Sequence, residues 1–196
     1  MSPRVRRSGA LVFAAMTLIT VVGGAGSAAA QDGSVEVEIS AVIPERCGFA
    51  PSAVPLLRSA PADVEVAQTF SVALPLDCNT PFAVGLVAER GALTNTTSTP
   101  DQSGYAFSKT YGVRVTLDTS AGAVQSGRCL SSDVVAGGTC DFATSIPGQG
   151  LESGQGIATP GAVTLTIDWP DQSALTQRLA AGDYSDTITV VVGARA

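Results

Sequence analysis

Three observations predict an all-β sandwich for this chain of 196 residues. Apolar residues recur at every second position in several short runs, the mark of strands with one buried face. Glycine, proline and asparagine punctuate the gaps between those runs. No stretch carries a long helical pattern; the densest candidate, Ala174 to Ala181 with Ser173 as its cap, is long enough for a turn or two only.

Before the first strand lies a segment that reads as an export signal over residues 1–30. Arg4, Arg6 and Arg7 form a positive start, Ala10 to Gly24 is uncharged and apolar, and Ala28-Ala29-Ala30 offers small residues for cleavage before Gln31. The apolar run is shorter than the roughly 20 residues of a membrane-spanning helix. Arg6-Arg7 is the beginning of a twin-arginine signal, but Ser8-Gly9 does not continue it, so the general export route is expected. No membrane insertion is expected after cleavage.

The mature chain begins with Gly33 to Cys47, G-S-V-E-V-E-I-S-A-V-I-P-E-R-C. Val35, Val37, Ile39, Ala41 and Ile43 share one face, and Glu36, Glu38, Ser40 and Val42 lie on the other, mostly polar one. Residues 31–45 are read as a strand-forming arm and residues 46–196 as one domain. Pro51, Pro55 and Pro61 make the next stretch an irregular or edge connection. Val64, Val66, Phe70, Val72, Leu74, Leu76 and Cys78 then share the even positions. Asn79-Thr80-Pro81 is a turn, and Phe82, Val84, Leu86 and Ala88 follow as the partner of a hairpin-like pair. Gly91 to Gly104 reads as an exposed loop; the sequon Asn95-Thr96-Thr97 within it carries no weight, because such triplets are common. Tyr111, Val113, Val115 and Leu117 mark another strand, as do Val163, Leu165, Ile167 and Trp169, stopped by Pro170. Gly182-Asp183 turns into the last, with Tyr184, Ile188, Val190 and Val192 on one face.

Four cysteines, Cys47, Cys78, Cys129 and Cys140, follow the export segment and read as two disulfides. Three pairings are open. Cys47–Cys78 with Cys129–Cys140 is favoured, because the second pair brackets the hairpin-like L-S-S-D-V-V-A-G-G-T. Each bridge is worth roughly 3 kcal/mol by loop closure.

The absence of histidine from the sequence excludes Ser-His-Asp catalysis and histidine-ligated metals. There is no C-x-x-C spacing for a metal, and no glycine-rich turn between a strand and a helix. The acid pairs Asp168/Asp171 and Asp183/Asp186 lack the dense oxygen run of a calcium loop and read as turn residues. Neither an enzyme, a metal nor a cofactor is expected. All 17 acidic residues lie beyond residue 30, against 8 of the 11 basic ones, giving a mature charge near −9. That argues against nucleic acid or an anionic membrane as partner.

With these residues placed, the chain resembles the spore coat protein U family, which includes subunits of archaic chaperone–usher pili. The resemblance rests on V-E-V-E-I-S-A-V-I-P-E-R-C running into the first cysteine, on L-D-C at Leu76 to Cys78, and on A-G-D-Y-S-D-T-I-T-V-V-V from Ala181 to Val192. Together these span nearly all of the mature chain. The chain departs from the family at Ser52 to Ser59, in its second cysteine pair and at its G-A-R-A end. The resemblance implies an immunoglobulin-like sandwich lacking one strand. A periplasmic chaperone would fill the gap first, and the arm of the next identical or related subunit would replace it at an outer-membrane usher, a form of β-augmentation. Val35, Val37, Ile39, Ala41 and Ile43 would then be the donor-strand residues. Two other readings remain: a secreted or coat-type structural protein that folds its own arm into its sandwich, and a carbohydrate-binding sandwich using Tyr105, Tyr111 and Trp169.

Overall fold

A computed structural model describes residues 36–51, 63–98 and 104–195. Residues 1–30, expected to be an export signal, Val35 and the Ser52 to Ser59 stretch lie outside the described residues. The chain divides into two units, Met1–Ala41 and Val42–Ala196. Of the first, residues 36–41 are described; they are exposed and form no strand.

The second unit is an all-β sandwich. Its larger sheet contains β1 (Cys47–Phe49), β2 (Gln68–Cys78), β7 (Gly112–Thr119), β8 (Gly122–Gln125), β9 (Cys129–Leu130) and β11 (Ala158–Trp169), with strand order β1-β2-β11-β7-β8 and β9 beside β7. The facing sheet contains β3 (Phe82–Ala88), β10 (Leu151–Glu152) and β14 (Ile188–Ala194), in the order β10-β3-β14. Smaller sheets join β4 (Leu93–Asn95), β6 (Ser108–Lys109) and β13 (Tyr184–Ser185), and pair β5 (Tyr105–Ala106) with β12 (Arg178–Leu179).

The core follows from the period of two. Val72, Leu76 and Cys78 of β2, Val113, Val115 and Leu117 of β7, and Val163, Leu165 and Trp169 of β11 are buried. All of these but Val72 belong to one cluster with Phe82, Val84 and Leu86 of β3. Phe70 meets Trp169 edge to face, with ring centroids 5.8 Å apart, the arrangement favoured by aromatic quadrupoles. The bridges are Cys47–Cys78, which joins directly opposed residues of β1 and β2, and Cys129–Cys140. Two disulfides fit an oxidising, extracytoplasmic compartment. Among the described residues, no helix is long and apolar enough to cross a membrane.

Several expectations are corrected. β2 and β3 do not form a hairpin: β2 already has β11 and β1 on its two flanks, so the chain crosses at Asn79-Thr80-Pro81 to the other layer. Val64 and Val66 precede β2 rather than belonging to it. Their carbonyls accept hydrogen bonds from Lys109 Nζ (2.6 Å) and Trp169 Nε1 (3.0 Å), so side chains hold this segment where a ladder was expected. The β2–β11 ladder shifts register between Ala158 and Gly161 of β11, opposite Leu76 to Cys78.

The Cys129–Cys140 segment is not a hairpin. It continues from β9 into a 3-10 turn, Ser131–Asp133, that buries Ser131 and is followed by the core residue Val134. The expected short helix from Ala174 is a 3-10 turn at Gln172–Ala174, capped by Asp171 rather than by Ser173. Nor is Gly91 to Gly104 all loop. It contains β4, and the Asn95 side chain bonds the carbonyls of Ala180 and Ala181 and accepts from the backbone N–H groups of Thr97 and Ser98.

Candidate functional site

Two strands of the smaller sheet have similar apolar composition and different burial. β3 (FAVGLVA) is buried at six of its seven positions, since β10 and β14 flank it and the sandwich covers its face. β14 (ITVVVGA) is nearly as apolar, yet none of its residues is fully buried. Ile188, Val190 and Val192 reach the core from even positions, as period two requires, but remain half-buried. Among the described residues β14 pairs on one flank only, with β3.

The larger sheet is open on the same side. β1 lies alongside β14 without pairing to it. β1 covers β2 only over Leu76 to Cys78, and no described strand lies on that flank of residues 68–74. Phe70 and Leu74 in that uncovered part are half-buried too. The result is a seam along one side of the sandwich, with an unpaired backbone edge and apolar side chains short of full burial. Unpaired edges of this kind accept a further strand.

The sequence-predicted arm is exposed. Val37 is 73% exposed, Ile39 89%, Val42 90% and Ile43 81%, and Ala41 is exposed as well. Residues 36–46 form no strand. Val35, the remaining member of the set, lies outside the described residues. An exposed Val or Ile taken singly is ordinary; here Val37, Ile39 and Ile43 are exposed at positions of one parity, while Val42 falls on the other.

What holds the end of this segment is visible at Asn79. Its side-chain Oδ1 accepts from the Arg46 N–H (2.8 Å), its Nδ2 donates to the Pro44 carbonyl (2.9 Å), and its backbone N–H donates to the Arg46 carbonyl (3.1 Å). Arg46 Nε also donates to Asp77 Oδ2 at 2.9 Å. The sequence reading took Asn79 for a turn residue alone. Its place directly after Cys78, the partner of Cys47, was the available signal.

Other candidate chemistry is taken up by structure. Asp168 forms a bidentate pair with Arg128, with contacts of 2.6 to 3.0 Å, in a cleft of about 420 Å³ beside Gln68, Thr69 and Thr110. Asp171 caps its 3-10 turn, and Asp186 accepts from Tyr111 Oη, Arg90 N–H and Thr187 N–H. Asp183 serves through its backbone, its carbonyl accepting from Thr96 and its N–H donating to Thr97. Among the described residues, no group of three metal-ligating side chains is found. Of the three candidate sugar-stacking rings, Tyr111 and Trp169 are buried and Tyr105 is exposed. No family model, curated protein or solved structure matches the chain.

Proposed function

We propose that the protein is a structural subunit of a chaperone–usher pilus or surface fibre, exported by its N-terminal signal peptide and polymerising by donor-strand complementation. The observation that carries this reading is the juxtaposition within one chain of an exposed apolar stripe and an apolar edge strand, β14, left half-buried. The occupant of the seam is the arm of a second copy, with Val35, Val37, Ile39, Ala41 and Ile43 facing inward. Nine extended residues span about 30 Å, enough to line a seven-residue strand of about 23 Å. A periplasmic chaperone would guard the seam before an outer-membrane usher exchanges it for the arm.

Burying four Val/Ile side chains and one alanine is worth about 7–13 kcal/mol gross, less the entropy of ordering the arm. A one-residue slip would turn Glu36 and Glu38 into the seam, which fixes the register. A head-to-tail contact of this type does not close on itself and therefore builds a filament.

The test is the mature chain with and without residues 31–44, followed by oligomer size on unheated SDS gels and by thermal melting. Ladders from the full chain that vanish on truncation and with Ile39→Asp support the reading. A stable monomer whose truncation only unfolds it points to self-complementation.

A further inference from the structure

We infer that the seam is reserved for the arm of another copy, because Asn79 denies it to the chain's own. This rests on the donor-strand reading and names the partner as one supplied in trans. Strand β1 runs antiparallel to β2, with Cys47 opposite Cys78 and Phe49 opposite Leu76. Pro44 and Arg46 are thus held at the Cys78 end of β2, where Ala194 of β14 also lies, opposite Phe82 at the start of β3.

To enter its own seam, the arm would have to reverse within Pro44-Glu45-Arg46 and run back beside β1. Both groups that such a turn needs to reorient, the Pro44 carbonyl and the Arg46 N–H, are bonded to the one Asn79 side chain. A three-residue reversal normally places a residue in the left-handed region, which glycine supplies. Pro44-Glu45-Arg46 contains no glycine, and positive φ occurs among the described residues only at glycine. The Cys47–Cys78 bridge and the Arg46–Asp77 pair fix the chain directly behind the clamp, on the β1 side. Asn79 is therefore a positioning residue, spending both ends of its amide on the course of Pro44 to Arg46.

The experiment compares the full mature chain with Asn79→Ala, and with Asn79→Asp as the variant that keeps the acceptor and loses the donor. Unheated SDS gels measure the ratio of ladder to monomer, and hydrogen exchange measures protection of the arm amides in the monomer fraction. Two lost hydrogen bonds predict a shift toward monomer on the order of tenfold for Asn79→Ala and a smaller one for Asn79→Asp. The new monomer should protect residues 35–43 against exchange.

Assembly by Asn79→Ala equal to wild type, or reduced assembly with the arm still unprotected, overturns the inference. A wild-type chain that is monomeric with its arm protected overturns it as well. A wild-type monomer with an unprotected arm sinks the polymer reading instead, and the clamp then stands or falls on whether Asn79→Ala gains protection.

Discussion

Tyr111 and Asp186 illustrate how single polar groups are accommodated beside an apolar core. Tyr111 is buried, and its hydroxyl donates to Asp186 at 2.8 Å. Burial, with the Asp186 hydrogen bond and charge added, raises the phenol well above its ordinary value of 10.0. Asp186 keeps two backbone donors, Arg90 and Thr187, without it. Tyr111→Phe should therefore cost about 1–3 kcal/mol at neutral pH, read by urea unfolding. The sign of the pH effect follows from the raised folded pKa. The Tyr111 contribution is complete below about pH 10, where the unfolded phenol is neutral, and is lost as pH rises beyond it. Wild-type stability should fall above pH 10 more steeply than that of Tyr111→Phe. Lys109, the chain's single lysine, is the opposite case: burial lowers its pKa, and Asp171, Asp63 and Glu65 partly restore it.

At the scale of elements, the bridges and one close approach set the frame. Cys47–Cys78 closes a separation of 31 residues and Cys129–Cys140 one of 11. Loop-closure entropy predicts losses of about 3.7 and about 2.8 kcal/mol on replacing each pair by alanine, so the first should lower the urea midpoint more. Equal shifts would show that strain or unfolded-state structure outweighs loop length. A Cβ on Gly85, in the middle of β3, would meet the Thr144 carbonyl and methyl and Val191 Cγ2. A backbone carbonyl has little room to retreat, so Gly85→Ala should cost about 1–3 kcal/mol by the same measurement. An unchanged midpoint would mean that the loop over β3 packs more loosely than described.

For the whole molecule, the proposed filling of the seam beside β14 by an arm should appear as stability. A synthetic peptide of residues 33–45 is expected to raise the melting temperature of the arm-truncated chain, and to shorten ladders formed by the full chain when added in excess. The same peptide with Ile39→Asp should do neither, since a carboxylate in the seam would be buried without a partner. Stabilisation by both peptides alike would mean that a general edge-strand affinity, not side-chain register, drives the contact.

Period two was enough to determine the all-β class and the core-facing residues of β2, β3, β7, β11 and β14, because alternate side chains of a strand point to one face. In β3 the opposite face is covered too. The oxidised state of the four cysteines was legible from their even number and the export-like start. The parity of Val37, Ile39 and Ile43 stays a sequence pattern, since residues 36–46 are in no strand. Tertiary structure alone decided which strands pair. That β3 leaves β2 for the opposite layer depends on β11 and β1 already occupying both flanks of β2, a competition between distant segments that no local pattern records. It also decided that β14, nearly as apolar in sequence as β3, has no fully buried residue, since burial depends on the neighbours as well as on composition. The Asn79 clamp joins residues more than thirty positions apart, so the sequence showed a turn asparagine and only the fold put Pro44 and Arg46 within its reach.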